Sequence, residues 1–123
     1  MTWVGKWKNQ YGSIVEITSE ADGRIAGTFR TALPDSGFYN QTVAIVGVHR
    51  GNCIGFSSVG ASASGDRVVS YTGLLRDGKM ETAWFVVADK ALVAPGEGEP
   101  AALQPVNWWR AVTTSTDTFE RVT

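Results

Sequence analysis

The chain has 123 residues, of which 43% are hydrophobic and 19% charged, with 11 basic residues against 12 acidic and a net charge of −1. That length fits one domain, residues 1–123, able to bury about two thirds of its surface; its apolar content excludes a disordered chain, and its balanced charge excludes a nucleic-acid binder working through a basic surface. Cys53 and His49 are the single cysteine and the single histidine, which leaves no internal disulfide and no zinc constellation, and no apolar run approaches the length of a membrane span.

In chain order, eight stretches rich in Val, Ile, Thr and aromatics read as strands: Gly5–Gln10, Ile14–Ser19, Arg24–Ala32, Thr42–Val48, Cys53–Ser58, Arg67–Leu75, Lys79–Val87 and Asn107–Phe119. Glycine punctuates them. Asp22-Gly23, Arg50-Gly51-Asn52, Ser64-Gly65-Asp66 and Asp77-Gly78 each sit between apolar-rich runs, and Asp-Gly in that position signals a tight hairpin. Ala88–Leu92 is compatible with a helix but short, and Ala94–Pro105, which holds three of the four prolines, reads as irregular. Consecutive strands joined by tight turns make an antiparallel meander. Eight of them can close into an all-β, up-and-down barrel with no exposed edge and room for one small ligand. A sandwich would need longer crossovers than most of these gaps provide.

Strand alternation then sorts the side chains by face. Trp7 shares a face with Asn9; Gly27 with Phe29 and Thr31; Thr82 with Trp84 and Val86; Thr113 with Ser115 and Asp117. Together these sets mix apolar bulk with a few short polar groups, which suits a pocket with a handful of orienting hydrogen bonds. The same residues also suit core filling and turn service, since Asn9 and Ser13 flank a turn at Tyr11-Gly12. Catalytic motifs are not apparent. Gly55-Phe56-Ser57 and Gly60-Ala61-Ser62 begin a nucleophile elbow, but Val59 and Ser64 stand where its last glycine belongs. Gly96-Glu97-Gly98-Glu99 lacks the lysine of a phosphate loop. The expected activity is binding, not catalysis.

Four segments, in order and across the whole chain, carry a resemblance. Trp7-Lys8-Asn9-Gln10-Tyr11-Gly12-Ser13 resembles the first-strand signature of the avidin and streptavidin family. Ala21-Asp22-Gly23-Arg24-Ile25-Ala26-Gly27-Thr28-Phe29 resembles its second hairpin, Thr82-Ala83-Trp84 its seventh strand, and Asn107-Trp108-Trp109 with Asp117-Thr118-Phe119 its eighth. The resemblance implies an eight-stranded barrel that binds biotin as a ligand, with no cofactor and no metal. It places Asn9 and Ser13 as donors to the ureido oxygen and Thr31 and Asp117 as acceptors for the ureido N–H groups. Asp117 is also expected to hold Asn9. Trp84 matches one aromatic wall, and Trp109 the tryptophan that family tetramers donate across a subunit interface.

Departures from the family pattern accompany these matches. Phe29 stands where a tyrosine hydroxyl would supply a third donor. Gly60 or Ala61 replaces the fifth-strand tryptophan, Tyr71 the sixth-strand one, Val69 a threonine facing the ligand sulfur, and Arg67 a serine near the valerate carboxylate. Losing one strong donor and one aromatic wall costs on the order of 4–7 kcal/mol, so biotin binding weaker than in the tightest family members is expected. The alternatives are a different urea- or amide-bearing ligand and, from fold analogy alone, a barrel enzyme of the cyclase type. The expected partners are biotin or a similar small molecule and further copies of the chain, a tetramer or else a dimer, with no nucleic acid and no membrane. The family resemblance implies secretion, whereas Met1-Thr2-Trp3-Val4 leads straight into domain sequence with no signal peptide in view. Cys53 is expected to be a reduced strand residue.

Overall fold

In the computed structural model, which describes residues 2–32, 41–62, 65–93, 98, 100 and 102–122, the elements follow the glycine punctuation. They are β1 (Gly5–Asn9), β2 (Ile14–Ala21), β3 (Arg24–Arg30), β4 (Thr42–Arg50), β5 (Cys53–Ser62), β6 (Gly65–Arg76), β7 (Lys79–Ala88), β8 (Lys90–Val93), β9 (Ala102–Pro105), α1 (Trp108–Ala111) and β10 (Val112–Arg121). Eight of the strands close into an antiparallel barrel in the order β1-β10-β7-β6-β5-β4-β3-β2. It is a meander whose seam is the pairing of Trp7 with Arg121 and of Asn9 with Phe119. The sandwich alternative is thereby excluded.

The two Asp-Gly turns have the geometry that their residues permit. Asp22 and Gly23 both take positive φ (54° and 76°), as do Asp77 and Gly78 (53° and 76°). Two successive positive φ values define the type I′ turn, whose twist matches that of the flanking strands. Each turn joins strands by two residues, from Ala21 to Arg24 and from Arg76 to Lys79. Gly27 serves a different purpose. It pairs with Ile17, where β2 bulges between Ile17 and Ser19, and a Cβ there would collide with the Glu16 carbonyl. Only a residue without a side chain lets the two backbones approach so closely.

Inward residues at one end of the barrel form an apolar plug. Trp3, Trp7, Ile17, Met80 and Phe119 are buried there, with Val15, Ile25, Ile45, Ile54, Phe56 and Tyr71 continuing the core. Burying one such aromatic side chain contributes roughly 4–6 kcal/mol of transfer free energy before entropy is counted. The Trp7 indole N–H donates to the Trp3 carbonyl at 3.0 Å, so its buried polar atom is satisfied. Arg121 lies over the Trp7 ring, 4.3 Å from its centroid. Its guanidinium also donates to the carbonyls of Val4 and Thr2, which clamps the leading segment across the seam.

Two expectations need correction. Asn107–Phe119 is not one strand: Trp108–Ala111 forms a single helical turn before β10 starts at Val112. The N–H groups of Arg110 and Ala111 both reach the Asn107 carbonyl, at 2.9 and 3.0 Å, and this local closure overrides the β preference of the tryptophan pair. The second correction concerns Ala88–Leu92 and Ala94–Pro105. Lys90–Val93 and Ala102–Pro105 pair as a small separate hairpin sheet. Four-residue strands carry too little alternation to be read from sequence.

Candidate functional site

The polar residues that face inward gather at the end of the barrel away from the plug. Asn9 ends β1, Ser13 precedes β2, Thr31 follows β3, and Thr82 and Asp117 lie on the paired strands β7 and β10. All five are buried. Burying so many polar groups is unfavourable unless they are partnered, and their partners are largely one another.

Asn9 organises the cluster. Its side-chain oxygen accepts the backbone N–H groups of Tyr11 at 3.0 Å and Ser13 at 2.9 Å, which fixes the β1–β2 turn. That occupancy orients the amide, so Nδ2 donates to Asp117 Oδ2 at 3.3 Å. One Nδ2 hydrogen remains for a further acceptor. Ser13 Oγ accepts the Ala32 N–H at 2.9 Å and lies 3.4 Å from Thr31 Oγ1, tying the end of β3 to the same turn. Asn9 and Ser13 thus serve the turn and belong to the buried polar cluster at once.

Asp117 is the only charged residue of the buried set, and among the described residues neither ion pair involves it. Neutral donors stabilise it instead: Asn9 at 3.3 Å and Gln10 through Nε2 at 3.4 Å. Thr82 Oγ1 donates to the Asp117 backbone carbonyl at 2.9 Å and holds β10 in place. Burial pushes the Tyr71 phenol well above its ordinary value, and the neighbouring Asp117 carboxylate adds to the effect.

Apolar walls surround the cluster. Phe29 and Val69 are buried, and Trp84 packs half-buried against the core. Trp84 pairs with Tyr71 on one side and Ser115 on the other. Thr113 and Ser115 keep the phase of Asp117 but are exposed. Two of the expected site residues stand apart. Trp109 is 71% exposed on α1, with the Arg110 guanidinium over its ring at 5.1 Å. Arg67 is half-buried, two positions along β6 from Val69, opposite Gly60 and Ala88. It lines a surface groove of about 830 Å³ with Val59, Val68, Val87 and Trp108. That groove holds none of Asn9, Ser13, Thr31 or Asp117. We place the site on the buried donor–acceptor cluster, because converging polar groups, not volume, confer specificity.

The sequence reading omitted Gln10 as a contributor, and Tyr71 entered it only in place of the sixth-strand tryptophan. Tyr71 was legible from alternation, since it follows Val69 at the two-residue period. Gln10 was not, because it lies beyond the last β1 pair and reaches Asp117 only once the barrel closes.

The Avidin family profile matches residues 1–94, about three quarters of the chain. The chain belongs to the avidin family. Its fold is similar to solved structures of other avidins at low sequence identity. The bradavidin2–biotin complex superposes with a TM-score of 0.74 at 19% identity, covering 100% of both chains. The rhizavidin–biotin complex gives 0.73 at 21%, covering 99% of this chain and 93% of that one. Apo shwanavidin gives 0.75 at 22%, covering 100% and 98%. No curated protein sequence matched this avidin.

Proposed function

We propose that this avidin binds biotin, with Asn9, Ser13, Thr31 and Asp117 around the ureido group and Phe29, Val69 and Trp84 as apolar walls. The observation that carries the reading is the buried Asn9–Asp117 pair beside Ser13 and Thr31. A urea presents one carbonyl acceptor between two N–H donors. Its binder must therefore set donors on one side and acceptors on the other. The free Nδ2 hydrogen of Asn9 and the Ser13 hydroxyl are the donors; the Asp117 carboxylate and Thr31 are the acceptors. A charged acceptor strengthens its N–H bond about twofold over a neutral one. Two solved structures with this fold are biotin complexes, which agrees with the reading. Phe29 brings no hydroxyl and neither Gly60 nor Ala61 an aromatic wall, so the affinity should fall short of the tightest family members by several decades. Arg67, on the Val69 face of β6, suits the ligand carboxylate.

Exposed Trp109 and the outward apolar residues Val46, Val48, Val59, Val68 and Phe85 support a homo-oligomer in which a second copy covers that face. Isothermal titration with biotin tests the function. One site per chain with saturable binding is expected. No heat and no thermal shift at millimolar biotin would overturn it and turn attention to larger urea- or amide-bearing ligands.

A further inference from the structure

Six polar residues are buried among the described ones: Asn9, Ser13, Thr31, Ser58, Thr82 and Asp117. Five of them are joined by hydrogen bonds in the polar cluster. Ser58 is the exception. It is 4% exposed, yet its Oγ has no hydrogen-bond partner among the described residues. A buried hydroxyl in that state lowers stability unless something outside the chain pairs with it.

The register places Ser58 on the inner wall of the barrel. It follows Ile54 and Phe56 at the two-residue period of β5, and both of those belong to the apolar core. Ser57, one position earlier, lies 3.0 Å from Ser70 Oγ across β5 and β6. Ser58 instead pairs with Val69, which pairs in turn with Val86, so the Ser58 hydroxyl is the one polar side chain at that level of β5, β6 and β7. The inner wall of these strands runs from the row beside Asp117 through the Trp84 row to the Ser58 row, and then to the Arg67 row. A ligand with its ureido group at Asp117 and its carboxylate toward Arg67 therefore passes Ser58 between its two ends. Between those ends biotin carries one heteroatom, its ring sulfur, which is a weak acceptor for an O–H.

We propose that Ser58 is a further ligand-binding residue, whose hydroxyl donates a hydrogen bond to an acceptor between the ureido group and the carboxylate, in biotin the ring sulfur. The inference rests on the biotin reading for the identity of the ligand.

The test is calorimetric titration of the unmutated chain and of Ser58→Ala with three ligands: biotin, oxybiotin, in which oxygen replaces the ring sulfur, and desthiobiotin, which lacks the ring heteroatom. Loss of the hydroxyl should weaken oxybiotin by about threefold to tenfold, the worth of a neutral hydrogen bond. Biotin should lose less, because sulfur is the poorer acceptor, and desthiobiotin should change by less than about twofold. No change on oxybiotin, or an equal loss on all three ligands, would overturn the proposal. If the unmutated chain takes none of the three, the biotin reading fails by itself, and urea unfolding of the ligand-free chain decides whether the hydroxyl is free for a ligand. Ser58→Ala should then hold the folding equilibrium constant or raise it by up to about tenfold, since an unpaired buried hydroxyl is removed. A fall of about threefold or more would mean that the hydroxyl serves the fold, and would overturn the proposal.

Discussion

Asn9→Ala is the substitution whose cost can be worked out most fully. Alanine removes both acceptor contacts in the β1–β2 turn and the donor to Asp117. The Tyr11 N–H belongs to an exposed residue and can turn to water, but Ser13 is 1% exposed. An orphaned buried N–H costs about 1–3 kcal/mol. The bond to the carboxylate is long at 3.3 Å, so its loss adds about 1 kcal/mol, near the lower end for a charged partner. Together these give about 2–4 kcal/mol. With an unfolding entropy of about 2.1 cal/mol/K per residue over 123 residues, Tm should fall by about 8–15 °C. Differential scanning calorimetry measures this directly.

Asn9→Asp separates the two roles of the residue. Its carboxylate can still accept both turn N–H groups, but it brings a second negative charge against Asp117. Two adjacent carboxylates cannot both ionise cheaply, so the folded state takes up a proton more readily than the unfolded chain. Stability of Asn9→Asp should therefore rise as pH falls from about 7 to 5, and Asn9→Ala should show no such rise. A Tm for Asn9→Ala within about 2 °C of the unmutated chain, or parallel pH curves for the two variants, would refute the assignment.

Acid sensitivity should trace in part to Glu20. The Trp3 backbone N–H, 2.6 Å from Oε1, is the main cause that holds this carboxyl below its ordinary value; the Thr2 hydroxyl and His49 add to it. A depressed carboxylate stabilises the fold above its unfolded value of about 4.5 and loses that contribution as pH falls below it. Glu20→Gln should flatten the decline of Tm between about pH 5 and 3, and curves of equal slope would exclude the role. Gly78→Val isolates backbone strain. Gly78 has φ +76°, and no atom lies within 4 Å of a Cβ built there, so the cost is that of a left-handed residue, about 1–2 kcal/mol. Urea unfolding at an unchanged m-value should show that loss, with Gly78→Asn losing less; a neutral Gly78→Val would mean that the turn adopts another geometry.

Local chemistry made much of the barrel legible in the sequence alone. The Asp22-Gly23 and Asp77-Gly78 turns depend only on which residues tolerate positive φ. The strands between them are set by alternation, which needs no knowledge of neighbours. Inward placement of Asn9, Phe29, Thr31, Val69, Trp84 and Asp117 follows from that period of two. Their ligand roles came from resemblance to a family, not from periodicity. Tertiary structure alone decided what these residues touch. Asn9 and Asp117 are 108 positions apart, and only closure of β1 on β10 lets one orient the other. Gln10 joins the same carboxylate by that closure. The helical turn at Trp108–Ala111 and the β8–β9 hairpin also escaped the sequence reading, because elements of four residues carry too few side chains to reveal a period. Periodicity places a side chain on a face, but its partner on that face is set by which strands the closed sheet brings together.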